Sequence, residues 1–170
     1  MIHFIQRIPD RLHHLAGFLF TAMLLATALW FQFQDGLEPC PLCISQRIAM
    51  LGTGLVMLAG VLHNPEKTGM RIYAGLALAI ALAGACISLR HVWLQHLPPD
   101  EVPACGPGIG YMFDNFPMAD IIKAMLNGTG DCAKVDWTLL GFSMPAWVLL
   151  CFLVIALWNS LLFAPKTRRT

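Results

Sequence analysis

Apolar residues run almost unbroken through four stretches of this chain, near positions 15–33, 44–62, 72–92 and 144–163, and polar residues gather between them. Each run has about the 20 residues that an α-helix needs to cross a hydrocarbon core of roughly 30 Å. The pattern predicts four transmembrane helices forming one domain over residues 1–170. Two of the connections are short, and one, over about 93–143, is long. Within it FPMADIIKAMLNG places Ile121, Ile122, Met125 and Leu126 to one side, with Asp120 near the start and Gly128 after the end. That segment predicts a short helix lying on the membrane surface, with packing against the bundle as the alternative. Further on, Ser143 and Pro145 suit the N-cap and first turn of the fourth helix.

Composition fixes the class. The chain is 57% hydrophobic and 12% charged over 170 residues, against roughly 45–50% and 25% in soluble domains. An all-α membrane protein built as a four-helix transmembrane bundle is expected. The third run, IYAGLALAIALAGACISL, is rich in Ala and Gly, and the second carries Gly52, Gly54 and Gly60. Small residues let helices approach closely in lipid, where contact rather than water exclusion drives association. Trp30, Trp93, Trp137, Trp147 and Trp158 fall near the ends of the runs, as expected of an interfacial aromatic belt.

Charge then orients the bundle. Arg7 and Arg11 precede the first run, Lys67 and Arg71 lie around the second connection, and Lys166, Arg168 and Arg169 close the chain. These regions are expected in the cytoplasm by the excess of positive residues there. The connection over about 34–43 has no Lys or Arg. The long one has only Lys123 and Lys134 against Asp100, Glu101, Asp114, Asp120, Asp131 and Asp136, so both belong outside. A net charge of +1 hides this asymmetry and does not suggest a nucleic-acid partner. The N-terminal run with Arg7, Arg11 and Ala26-Thr27-Ala28 also resembles a cleavable signal peptide. Its apolar character continues through Leu29, Trp30, Phe31 and Phe33, which favours a retained helix and an even number of spans.

The six cysteines divide by place. Cys86 and Cys151 fall inside predicted spans, where a thiol behaves as a small hydrophobe. Cys40, Cys43, Cys105 and Cys132 all fall on the outer side, which in a bacterial cell is the oxidising periplasm. Zinc is one use for four outer cysteines, but ribbon-type sites usually pair one C-x-x-C with a second, and here Cys105 and Cys132 are far apart in the chain. A loop staple between those two would contribute on the order of 3 kcal/mol, yet it leaves Cys40 and Cys43 unexplained.

Those two stand in EPCPLCISQRIAML, a dithiol spacing set against the start of an apolar run. With the second helix beginning around Ile44, Cys43 sits at its N-terminus, where free N–H groups and the helix dipole favour an anion. Thiolates there have lowered pKa values. Arg47, four residues on, shares the face of Cys43. A cation in the first turn opposes the dipole, so it is best placed facing an anion, either a thiolate or a reduced acceptor; a snorkelling interfacial cation is the alternative. The sequence GPGIG at 106–110 follows no strand and opens no helix, so it is read as a flexible loop rather than a dinucleotide site. C-x-x-C-H haem attachment fails because Ile44 follows Cys43. A dithiol at a membrane edge then points to a lipid-soluble electron acceptor such as a quinone.

CPLCISQR, the Cys105/Cys132 pair in the outer loop, and WTLLGFSMPAW before the last run together resemble the disulfide bond formation protein B (DsbB) family over nearly the whole chain. The resemblance implies a quinone-dependent thiol oxidoreductase of the bacterial inner membrane. Its expected partner is the periplasmic oxidase DsbA, which at about −120 mV needs an oxidant poised nearby. It implies that reduced DsbA attacks a Cys105/Cys132 disulfide, with Cys105 forming the mixed disulfide, and that Cys132 is reoxidised through Cys40. It places Cys43 facing ubiquinone, or menaquinone, with Arg47 in the quinone site and His91 as a further cofactor-binding candidate. Taken alone, His91 with Arg90 also fits a cation at a helix C-terminus. The Pro and Gly residues around Cys105 keep its loop exposed, which suits exchange with an external thiolate. Three alternatives remain: a family paralogue with a dedicated partner oxidant, a vitamin K epoxide reductase-like protein of similar architecture, and a non-catalytic membrane protein with disulfide-stapled loops.

Overall fold

The computed structural model describes residues 9–163 apart from residues 35, 37 and 108. Arg7, Lys166, Arg168 and Arg169, used above to orient the chain, lie outside the described residues. The order is α1 (Asp10–Gln34), α2 (Pro41–His63), α3 (Lys67–Leu94), α4 (Ile109–Asn115), α5 (Met118–Asn127), a 3-10 turn (Gly130–Ala133), β1 (Thr138–Leu139), β2 (Phe142–Ser143) and α6 (Met144–Ser160). This is an all-α membrane protein. Helices α1, α2 and α3 are long and apolar enough to cross a membrane, and α6 is a shorter apolar helix. Leu19, Met23, Leu55, Ile72, Leu82 and Leu157 all face outward, an arrangement suited to lipid and costly in water.

The packing follows from residue size. Helix α3 lies between α2 and α6, and α1 packs on α2. Ala74, Ala77, Ala81 and Ala85 of α3 are buried with Met50, Met57, Phe152 and Ile155, which lets the helices close together as the small-residue pattern predicts. Among the glycines of the four long helices, Gly84 is the tightest point: a Cβ there would lie 2.4 Å from the Phe152 ring. Any larger residue must displace a fully buried aromatic.

Several element boundaries differ from expectation. Helix α2 starts at Pro41, not Ile44, because Pro41 is preset for the first helical position and Cys40 caps it. Helix α3 reaches from Lys67 to Leu94, beyond the apolar run at both ends, and α6 ends at Ser160, not 163. At 17 residues α6 is about 26 Å long at 1.5 Å per residue. The GPGIG stretch does open a helix, since α4 begins at Ile109. Unforeseen, Thr138–Leu139 pairs antiparallel with Phe142–Ser143 around Leu140 (φ 55°) and Gly141 (φ 83°). Two positive φ values make a two-residue hairpin loop, hidden in the sequence because Leu stands where Asn or Asp usually would.

Ser143 is the N-cap of α6 by position, but its hydroxyl makes no cap bond. It lies 2.6 Å from Gln95 Oε1 instead, tying the end of the long connection to the end of α3.

Candidate functional site

The site is assembled where α2 begins. Cys40 has extended backbone (φ −69°, ψ 165°), the conformation of an N-cap. Its sulfur takes the part usually played by a Ser or Asp oxygen, accepting from the Cys43 N–H at 3.4 Å. That contact folds the C-x-x-C pair on itself, and the two sulfurs stand 3.3 Å apart. Cys43 is therefore in the first turn rather than at the cap.

Two other elements converge on Cys40. From α3, one turn before its end, His91 is 2% exposed, with Nε2 3.7 Å from Cys40 Sγ. Its Nδ1 lies 3.4 Å from the side-chain amide of Gln46. From the long connection, the 3-10 turn delivers Cys132, 1% exposed, packed with Leu42, Leu94 and Cys40. The hydrogen bond from Cys40 lowers the Cys132 thiol to about 6, with further help from backbone N–H groups against the opposing effect of burial. The same bond, with that to Cys43 and burial, holds the Cys40 proton and pushes its pKa up. The cluster thus favours a thiolate on Cys132 and a thiol on Cys40.

Helix α5 holds this turn in place. Ser45 Oγ donates to Met125 O at 2.6 Å, Ile121 is buried, and Arg90 Nε reaches Asn127 O at 3.4 Å. Arg90 also lies 4.4 Å from the Trp93 ring centroid, so the cation of the Arg90-His91 pair faces outward while the imidazole faces the sulfurs. On the other side of α5, Met118, Ile122 and Leu126 are exposed, an i, i+4, i+8 stripe. The helix packs on the bundle with one face and leaves an apolar stripe open with another.

Cys105 stands apart from the sulfur cluster, exposed on its loop. The loop is seated on Gly130, whose N–H donates to Ala104 O at 3.1 Å. A Cβ on Gly130 would lie 2.3 Å from Pro103 O and 3.1 Å from Cys105 Sγ. The missing side chain is what admits Cys105 beside the 3-10 turn that carries Cys132.

Beyond Cys43 opens a cavity of about 200 Å³, lined by Gln46, Arg47, Phe31, Trp137 and Trp147 among others. Arg47 is drawn toward α1, its Nη1 donating to Gln32 Oε1 and its Nη2 to Ala28 O at 3.2 Å. Residues on either side of the short hairpin, Trp137, Met144, Pro145 and Trp147, add to the wall. Trp147 Nε1 donates to Leu139 O at 3.2 Å, and Trp137 meets Phe31 edge to face at 5.5 Å. Two of the tryptophans assigned to an interfacial belt thus line the cavity. Cys151, read as an ordinary core thiol, lines it as well. A mainly apolar, ring-sized slot with a thiol and a guanidinium on its wall fits a quinone head group.

The structure therefore brings together Cys40, Cys43, Cys132 and His91, places Arg47 on the wall of the cavity beside Cys43, and leaves Cys105 at the surface. Sequence reasoning missed Gln46, Gln32 and Gly130. Gln46 had a usable signal: Ser45-Gln46-Arg47 is a polar triplet inside an apolar helix, and buried polar groups require partners. Gln32 and Gly130 are defined only by what approaches them.

The chain matches the family described as "Disulfide bond formation protein DsbB" over residues 10–162. A protein of Methylococcus capsulatus with the name "Disulfide bond formation protein B" is 66% identical over 147 residues, 86% of this chain and 90% of that one. Proteins of the same name from Nitrosococcus oceani and Hahella chejuensis are 48% and 47% identical, covering 91% and 89% of this chain and 93% and 92% of theirs.

Proposed function

The chain belongs to the DsbB family, and from that premise we propose that it is a quinone-dependent thiol oxidoreductase that reoxidises a DsbA-type partner in the periplasm. The observation that carries the reading is Cys40, whose sulfur contacts Cys43 at 3.3 Å on one side and which packs against the cluster holding Cys132 on the other. Cys43 in turn lines the apolar cavity with Arg47. One residue links the loop cysteines, Cys105 exposed and Cys132 buried, to an apolar slot.

In this reading a thiolate of the partner attacks the Cys105–Cys132 disulfide at exposed Cys105 and forms a mixed disulfide, freeing Cys132. The second partner thiol resolves that bond, releasing oxidised partner and reduced Cys105. Cys132, favoured as a thiolate, attacks the Cys40–Cys43 disulfide at Cys40 and releases the Cys43 sulfur beside the cavity. Cys105 then attacks the Cys40–Cys132 bond, restoring the loop disulfide and leaving Cys40 and Cys43 reduced. Ubiquinone or menaquinone, when bound, accepts the two electrons and two protons. Arg47 presents positive charge to that slot, Gln32 and the Ala28 carbonyl fix its guanidinium, and His91, steadied by Gln46, is placed to exchange a proton with Cys40. The reading includes four spans with α6 as the last, both termini in the cytoplasm, and the two redox connections in the periplasm of a bacterial inner membrane.

The test is spectroscopic quinone reduction by the detergent-solubilised protein given reduced DsbA, with Cys43→Ser and Cys105→Ser alongside. Turnover in the parent and loss in both variants is expected. Outer cysteines that stay oxidised and indifferent to DsbA, with no quinone reduced, would return the chain to the stapled-loop alternative.

A further inference from the structure

Chain order separates the donors that a metal would need, and the fold reunites them. Cys40 Sγ, Cys43 Sγ and a His91 ring nitrogen all lie within 4.8 Å of one another. Tetrahedral zinc has Zn–S of about 2.3 Å and Zn–N of about 2.0–2.1 Å, which sets two sulfurs about 3.8 Å apart and a sulfur and nitrogen about 3.6 Å apart. The separations here are 3.3 Å between the sulfurs and 3.7 Å from Cys40 Sγ to His91 Nε2. These two separations lie within about half an ångström of the ideal, and the remaining one, Cys43 Sγ to His91, within 4.8 Å, closes by about an ångström at most. For the fourth corner, Cys132 packs with Cys40 in the neighbouring cluster but lies outside that close trio, so its 3-10 turn must move inward to complete the set. The set is Cys3His, with no second C-x-x-C required.

A metal-bound imidazole usually has its other nitrogen held by an outer partner, and Gln46 already stands on Nδ1. Turning that amide over lets its oxygen accept Nδ1–H and frees the Nε2 lone pair; the orientation of a glutamine amide follows its hydrogen bonds. Cys40 and Cys43 are half-buried rather than sealed.

We propose that the fully reduced protein captures one Zn2+ ion at Cys40, Cys43, Cys132 and His91, and that capture withdraws it from the redox cycle. The three thiols lose their protons to solvent as the ion binds, and no electrons move. While the ion holds the sulfurs, none can attack or close a disulfide. The oxidised forms lack the site, because a disulfide through Cys40, Cys43 or Cys132 removes ligands. The ion is thus an inhibitor of one redox state and not a resident cofactor.

The test is anaerobic titration of full-length protein in detergent, fully reduced or fully oxidised, with Zn2+ in competition with a chromophoric chelator, and with Co2+ as a visible reporter of thiolate ligation. No thiol partner or quinone is present, so failure here leaves the oxidase reading standing, and failure of that reading leaves this result intact. One equivalent should bind to the reduced protein and none to the oxidised. Cys43→Ser and His91→Asn should weaken binding more than tenfold, Gln46→Ala about 10–100-fold, and Cys105→Ser not at all. Equal binding by the two redox forms would overturn the proposal, as would loss of binding in Cys105→Ser with retention in Cys43→Ser.

Discussion

Gly130→Ala tests how the exposed loop is kept in register with the buried cysteine. The added Cβ would lie 2.3 Å from Pro103 O, 3.0 Å from Cys105 N and 3.1 Å from Cys105 Sγ. Two of these atoms are backbone, so no side-chain rotation relieves the clash, and one limb must retreat by about an ångström to reach ordinary contact. The Gly130 N–H bond to Ala104 O, 3.1 Å, is then stretched or lost, a net of about 1 kcal/mol. Overpacking of this kind costs about 1–3 kcal/mol. The dithiol form can relax by letting the limbs separate, whereas a Cys105–Cys132 disulfide must hold them together. The cost therefore falls on the oxidised form and makes it easier to reduce. At about 30 mV per 1.4 kcal/mol for a two-electron couple, the potential of the loop pair should rise by about 20–60 mV. Equilibration with a thiol–disulfide buffer followed by alkylation and mass mapping measures it in a Cys40→Ala, Cys43→Ala background. An unchanged potential would show that Gly130 does not seat the loop.

Arg47→Met removes the guanidinium from the cavity wall and from Gln32 and Ala28. Loss of hydrogen bonding to a charged group, about 1.5–3 kcal/mol, should raise the KM for quinone about 10–150-fold, and Arg47→Lys should recover only part of this because the planar fork is gone; an unaltered KM refutes the assignment. In the reduced protein, Cys132 should titrate near 6 rather than 9.0. Because its pKa is lowered, the thiolate is present above that pH and is lost as pH falls through it. Ultraviolet thiolate absorbance should show this step, and Cys40→Ala, which removes the first cause of the shift, should move the midpoint upward; a first step near 9 in the parent contradicts it. Gly84→Ala should destabilise the bundle by about 1–3 kcal/mol in denaturant titration in detergent, since its Cβ meets the Phe152 ring at 2.4 Å. Gly52→Ala, with nothing nearer than 3.7 Å, should not, and equal effects would remove the packing argument.

The long helices were legible because a bilayer demands long apolar runs, and because the Ala and Gly of α3 can serve close packing. Their ends were less so. Pro41 and Cys40 determine where α2 begins, and a cysteine acting as an N-cap has no strong statistical signature. The hairpin was hidden because its left-handed turn uses Leu140, a residue that rarely adopts positive φ, and with it went the placement of Trp137 and Trp147 on the cavity. At the site, the cysteine spacing and Arg47 could be read from local chemistry. The meeting of Cys132 with Cys40 could not, because it depends on α5 being pinned through Ser45 and Ile121. The His91–Gln46 contact depends likewise on the mutual rotation of α2 and α3, which periodicity alone does not fix.

Cys40 shows why the proposed path runs through the start of a helix. A residue within the helix has its side-chain directions limited by the preceding turn, and it could face Cys43's cavity or the loop, but not both. The N-cap position is free of that turn, so with its backbone extended the one residue stands against both Cys43 and the cluster holding Cys132. Pro41 makes the arrangement stiff, since its ring fixes φ at the first helical position and its absent N–H is one that the helix would have left unpaired. The Cys43 N–H bond to Cys40 Sγ then stabilises the helix end and holds the two sulfurs in contact. Moving the same dithiol one turn into α2 would keep the spacing but lose the extended N-cap backbone, and with it contact to the loop cysteine.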